Sequence, residues 1–339
     1  MSETAEKATP TNVRAITSYP ARRNYRPGVV FPPEVPDVTD SIDIHCHAHE
    51  GQQDALSLSI LASESHMKGI LFKTLGPIAG DYQPMAELRT VRNKLEEWSA
   101  SSGISPIDVW VGYGVTMDNR PPSLERLDAQ LKEGVRGVWL PVFNHANTYN
   151  KVGGKTIWMH PGADPKAHTD PLPWAEAAKY GHYMLGENGK LKPLYSDIVR
   201  AVADHGVALF FGHATHPEIW ALAEFIDKIG FRRAVIDHPF SPFIDLSIED
   251  MKRAAAAGIT LNFTYDEISP LLGVDPKVIY DAIREVGVEH VTLSSDAGEP
   301  LFPHSVECMR LIRGYMEAYG MSKEELKTIC CTNPLRVVN

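Results

Sequence analysis

Eight short apolar, β-branched runs recur along this chain, nearly all at intervals that leave room for one helix between neighbours. They are SIDIHCH (41–47), GILFKT (69–74), DVWVGYGV (108–115), VRGVWLPV (135–142), VALFFGH (207–213), RAVIDH (233–238), GITLNF (258–263) and HVTLSSD (290–296). The segments between them carry helical spacing, as in residues 85–100 and in residues 247–258, the latter stopped by a glycine. Strands that alternate with helices predict a parallel sheet, and eight of them predict a (β/α)8 TIM barrel. A doubly wound open sheet is the competing topology, but no run is followed by a Gly-rich phosphate turn. At 339 residues, 43% of them hydrophobic, the chain can bury one large core.

Two stretches fall outside the rhythm. Residues 1–40 hold prolines at 10, 20, 27, 32, 33 and 36 and little periodicity, which predicts an N-terminal arm rather than a layer of the barrel. Residues 144–193, after the fourth strand, are too many for a βα loop and rich in Gly, Pro, Trp and His, which predicts an insertion that acts as a lid. Within it, GENGK (186–190) reads as a hairpin turn. The rest, residues 41–339, forms one barrel domain that includes the insertion.

Barrel chemistry sits where the strands end. Strand one ends in His45, Cys46 and His47, and alternation sends the two imidazoles to one side and the thiol to the other. Strand two ends in Lys73, strand five in His213, strand six in His238 and strand eight in Asp296. All fall at the same phase of the repeat and hence at the same height. Singly, each has a bland account: His-x-His arises by chance, and SSD is a helix-capping pattern. Together, His45, His47, His213, His238 and Asp296 are a nitrogen and oxygen ligand set suited to one or two divalent ions, Zn²⁺ first, with Mn²⁺ and Fe²⁺ as alternatives. His145, His304 and Glu299 are candidate substrate contacts; His49 and Glu50 are candidates to orient the imidazoles, and Trp158 and Trp174 to wall the pocket. His160, His168 and His182 fit the surface of the insertion, and Trp110 and Trp139 fit barrel packing.

Asp43-x-His45-x-His47, His213, His238 and Asp296, with the closing CCTNPLRVV, resemble the amidohydrolase superfamily over residues 41–339. LFKTLGP, GVWLPV, GENGKLKP, FGHAT and SSDAG more specifically resemble a poorly characterised amidohydrolase-like branch, which implies the fold and a metal but no substrate. Dinuclear members of the superfamily usually bridge their metals with a carboxylated lysine or a glutamate at the end of strand four, and GVWLPVF offers neither. Lys73, on strand two, can be a carbamate bridge, an ammonium that grips a substrate anion, or a structural lysine with its head in water.

The resemblance implies a metal-dependent hydrolase that opens an amide, cyclic amide or ester bond of a small molecule, with Asp296 moving the proton and His238 or Lys73 stabilising charge. A decarboxylase on the same scaffold and a non-catalytic subunit are the rival expectations. The formal charge of −10 argues against nucleic-acid and anionic-membrane partners. Four cysteines without a paired framework and no apolar leader fit the cytoplasm. The arm and the insertion point to a homo-oligomer.

Overall fold

A computed structural model describes residues 35–48, 53–75, 82–117, 120–153, 170–299 and 302–339. Most of the arm, the middle of the insertion and His49, Glu50, Trp158, His160 and His168 lie outside the described residues. Eight parallel strands neighbour one another in chain order: β1 (Ile42–Ala48), β2 (Gly69–Leu75), β3 (Asp108–Gly114), β4 (Gly137–Trp139), β5 (Ala208–Phe210), β6 (Ala234–Asp237), β7 (Thr260–Thr264) and β8 (Val291–Ser294). Helices alternate with them. Among them are α1 (Ala55–Glu64), α2 (Ala146–Val152) and α3 (Trp174–Tyr180) in the insertion, α4 (His216–Lys228), α5 (Ile248–Ala256), α6 (Tyr265–Ile268), α7 (Ser305–Ala318) and α8 (Asn333–Val338). The result is a (β/α)8 barrel, nearly closed.

Closure happens beside the candidate ligands. Beyond β8 the chain returns to β1 through Asp296 N–H to His45 O (2.8 Å) and His47 N–H to Ala297 O (2.7 Å). The backbones that carry His45, His47 and Asp296 are therefore bonded to each other, and their relative positions follow from the barrel itself.

Large rings fill the inside, and glycines make the room. Trp139 and Phe210 stack face to face, with centroids 3.9 Å apart. A Cβ on Gly112 would stand 2.2 Å from the Trp139 ring, and one on Gly69 would stand 2.3 Å from Trp110. Small residues on β2 and β3 thus complement large ones on their neighbours, and burying each such ring stabilises the fold by about 3 kcal/mol or less. At the bottom, Val337 and Val338 of α8 join Ile42 in the same interior cluster. Asn333 fixes that helix by donating to Val288 O and Val291 O, each at 2.7 Å.

β1 departs from simple alternation. Its pairing with β2 runs Asp43 to Ile70 and then Cys46 to Phe72, so β1 carries one extra residue there, and the next step restores the register. Across this bulge Ile44 and His45 both reach the interior, while Cys46 and Ala48 face the outer layer. Asp43 also faces outward, toward Ser305 at the start of α7. It shares no face with the histidines it precedes.

The described parts of the insertion attach at the C-terminal ends of the strands. Asn147 and Thr148 of α2 bond to the backbone or ring of His213, just past β5. Residues 186–190 form a tight turn, with Gly186 N–H bonded to Lys190 O at 2.9 Å and Leu185 paired antiparallel with Leu191. Ahead of β1, Pro36 packs against Gly314 of α7.

Candidate metal centre

Three of the five expected ligands converge. One ligand atom from each of His45, His47 and Asp296 lies within 4.8 Å of the others. Asp296 Oδ1 stands 3.0 Å from His45 Nε2 and 3.2 Å from His47 Nε2. Tetrahedral sites with bonds of about 2.0–2.2 Å hold their ligand atoms roughly 3.3 Å apart, so this spacing fits an ion. His45 supplies a second sign. It is fully buried, and among the described residues neither ring nitrogen has an aligned hydrogen bond, although both lie close to carboxylate oxygens. A buried Nε2 that faces the oxygen of a second candidate ligand without an aligned hydrogen bond is placed as a metal ligand is.

Each ring is held from behind. His45 Nδ1 lies 3.1 Å from Asp237 Oδ1, and Asp237 also accepts from Trp139 Nε1 and Asn262 Nδ2, both at 2.8 Å. Asn262 is oriented in turn by the Thr292 and Ser294 hydroxyls, which donate to its Oδ1. A carboxylate behind Nδ1 places the ring proton there and leaves the Nε2 lone pair for the cluster. His47 Nδ1 meets Thr74 Oγ1 at 2.8 Å. Asp43, buried behind β1, accepts from the Ser295 and Ser305 hydroxyls and from the backbone N–H groups of His45 and Ser295. It pins the end of β8 next to Asp296.

His213 and His238 line the same pocket as His47 and Asp296 without joining the three-residue cluster. Their ring centroids are 5.5 Å apart, and His238 is 6.0 Å from His45. Thr148 donates its one hydroxyl proton to Val142 O, so it accepts from His213 Nδ1–H, and the other ring nitrogen is the bare one. Phe243 stacks on the His213 ring at 4.0 Å. His238 Nδ1 is bonded to Ser241 Oγ at 2.8 Å.

The backbone is strained here. His238 and Asp296 have φ of 36° and 48°, in the left-handed region. Each such residue costs about 1–3 kcal/mol, and strain of this kind gathers at sites where function fixes the geometry. Bonds from His238 N–H to Asn262 O and from Asp296 N–H to His45 O, each 2.8 Å, hold the two turns.

Burial keeps His47 and His213 neutral, far below the usual imidazole value, and pushes His238 down to about 4 against the pull of Asp296 and Asp237. Burial also works against ionisation of Asp296, but His45, His47, His238 and Lys73 outweigh it and hold the carboxyl well below its usual range. Neutral imidazoles beside an ionised carboxylate are the protonation states that bind a cation.

Lys73 is 3% exposed, lines this pocket and has no hydrogen bond or ion pair within 4 Å among the described residues. Burial lowers its pKa, resisted by Asp296, Asp237 and Asp266. Glu299 lines the pocket as well, its pKa raised to about 7 by burial and by Asp296. His304 lies in the adjoining cavity, of about 200 Å³, where its Nδ1 accepts from Glu307 N–H to cap α7. His145 is elsewhere. It is fully buried, caps α2 by accepting from Asn147 N–H, and meets Glu218 of α4 at 3.1 Å, so both ring nitrogens have structural work rather than a place in the pocket. Trp174 is 40% exposed and packs edge-on against Tyr183.

Asp237, Asn262 and Asp266 are absent from the set predicted from sequence. Asp237 precedes His238 and looks like any strand residue; only its place in the centre of the barrel reveals it. Asp266 follows β7 in TYDEIS, a pattern that also reads as a capping box, which Thr264 and Glu267 form.

Residues 40–262 match a family of unknown function, DUF6282. The chain belongs to that family. No curated protein matches it in sequence. Among solved structures, an amidohydrolase from Pseudomonas aeruginosa aligns with a TM-score of 0.53 at 12% identity, over 88% of this chain and 96% of its own. A probable dipeptidase from Pseudomonas aeruginosa aligns at 0.52 and 13% identity, over 88% and 94%. At such identities the likeness is one of fold, and this DUF6282 member has an amidohydrolase-like barrel. Among its described residues, no helix is long and apolar enough to cross a membrane.

Proposed function

We propose that this DUF6282 protein is a metal-dependent hydrolase that opens an amide, cyclic amide or related ester bond of a small molecule. The observation that carries the reading is the convergence of His45, His47 and Asp296 on one point at the C-terminal rim, with a buried His45 ring left without aligned hydrogen bonds. These three residues would hold one divalent ion, Zn²⁺ by the character of the ligands. Such an ion, when bound, polarises a carbonyl and lowers the pKa of water from about 16 to about 7.

The chain's own groups do the rest. Asp296 is ionised and borders the pocket, so it takes the proton from the attacking water and delivers it to the leaving nitrogen. The carbonyl carbon gains the water oxygen as the C–N bond breaks, and atoms and charge balance. His238, held at Nδ1 by Ser241, turns its other nitrogen to the pocket and stabilises the developing oxyanion. Lys73, with its Nζ over the Trp139 ring at 5.8 Å and no ion pair within 4 Å among the described residues, receives an anionic group of the substrate. Phe143, Phe243 and Phe302 border the same pocket and exclude water from it.

Metal analysis of the purified protein, beside a variant with His45→Ala and His47→Ala, tests the site. We expect about one equivalent in the wild type and none in the variant, with the barrel still folded. Full metal content in the variant refutes the assignment. A hydrolysis screen over amides, lactams and lactones tests the reaction, and release of CO₂ in place of hydrolysis would move the protein to the decarboxylases.

A further inference from the structure

Lys73 has two counterparts in the pocket. Asp266 is 7% exposed, and its Oδ1 is buried without a hydrogen-bond partner among the described residues. Glu299 lines the same pocket, and its carboxyl makes no hydrogen bond or ion pair among the described residues. All three side chains line one cavity, yet neither carboxyl comes within 4 Å of Lys73. Strand order explains the gap. Around the rim run β2 with Lys73, β1 with His45 and His47, β8 with Asp296 and Glu299 just beyond it, and β7 with Asp266 just beyond it. The metal centre stands between Lys73, whose Nζ lies over the Trp139 ring at 5.8 Å, on one side and carboxyls without an ion pair among the described residues on the other.

Buried polar groups are satisfied in nearly all folded proteins, so an orphaned Asp266 oxygen on one side of a reactive centre and a Lys73 without an ion pair on the other mark positions that a ligand fills. We infer that the substrate is a short zwitterionic amide, with its carboxylate at Lys73, its scissile carbonyl at the His45–His47–Asp296 centre and its free amino group at Asp266 and Glu299. The inference rests on the hydrolase reading for the bond that is cut, but the two end contacts stand on their own. An ammonium supplies up to three donors, enough for both carboxyls, and a carboxylate accepts from Lys73 as a point charge. A neutral amide would leave Lys73 and both carboxyls as they are. The three phenyl rings along the wall suit apolar substituents between the charged ends.

The test is calorimetric binding to the Zn²⁺-loaded full-length protein. The probes are the ketomethylene isosteres of glycylglycine and phenylalanylglycine, which keep the carbonyl but cannot be hydrolysed, together with their N-acetylated and C-amidated forms. We expect each blocking group to weaken binding by about 30-fold or more, the loss that follows removal of about 2 kcal/mol from a buried charge contact. Asp266→Asn combined with Glu299→Gln should erase the effect of N-acetylation and leave that of amidation. Lys73→Met should do the reverse. Equal affinity for free and blocked forms overturns the inference, as does no binding of any probe by protein that holds its metal. Should the carboxyl variants not fold, the three forms on wild-type protein decide alone. A protein that hydrolyses neutral amides and ignores the blocking groups keeps the hydrolase reading and loses this one. One that shows the crossed losses but cleaves no amide keeps this one and loses the other.

Discussion

Asp237→Asn keeps volume and shape and changes one acceptor oxygen into a donor. In the native protein both carboxylate oxygens are acceptors: Oδ2 from Trp139 Nε1, Oδ1 from Asn262 Nδ2, with His45 Nδ1 at 3.1 Å from Oδ1. With the amide oxygen turned to Trp139, the new NH₂ faces the Asn262 donor. Asn262 cannot flip to suit it, because Thr292 and Ser294 both donate to its Oδ1. With the amide turned the other way, the Trp139 N–H is orphaned inside the barrel. Either arrangement leaves at least one buried donor unpaired, at a cost of about 1–3 kcal/mol. The NH₂ also tends to donate to His45 Nδ1, which moves the ring proton to Nε2 and removes the lone pair that faces Asp296. Loss of such a supporting group typically lowers metal affinity by about 10–100-fold. Urea unfolding of the metal-free protein reads the first number, and chelator competition reads the second. A variant that folds normally and binds Zn²⁺ within twofold of wild type would refute the argument that Asp237 sets the state of His45.

Asp296→Asn should keep its left-handed backbone, which asparagine adopts readily, and lose about 10²–10⁴-fold in turnover on whichever substrate the screen yields; turnover within twofold of wild type rules out the proton-transfer role. Glu267 has a folded-state pKa raised from 4.5 to about 8 by burial, so the native state keeps a proton that the unfolded chain has released. Stability should therefore fall as pH rises from about 4.5 to 8, by up to about 1.4 kcal/mol per unit, and Glu267→Gln should remove that slope. Unfolding at pH 5 and pH 8 checks this, and equal pH dependence in the two proteins counts against it. Gly112→Ala would force a methyl group to 2.2 Å from the Trp139 ring, and overpacking of this kind costs about 1–3 kcal/mol. An unchanged unfolding midpoint would mean that the ring has room to move.

The sequence by itself determined the barrel. Hydrophobic alternation is local, and all eight strands fall within or close to the runs where β-branched residues cluster, from Ile42–Ala48 to Val291–Ser294. Repeat phase also placed His47, Lys73, His213, His238 and Asp296 around one pocket, because a parallel barrel brings every strand end to the same rim. Tertiary structure alone decided which of them meet. The bulge in β1 turns His45 inward beside Ile44 and so parts it from the outward face of Asp43, an offset that pairing with β2 imposes and that no spacing within β1 reveals. It also took His145 out of the pocket, because Glu218, 73 residues away, offers the acceptor that holds the ring in the insertion. Asp237, Asn262 and Asp266 stayed illegible for the same reason. A polar residue near a strand end gains its role from the groups that face it across the barrel, and those come from strands far apart in the chain.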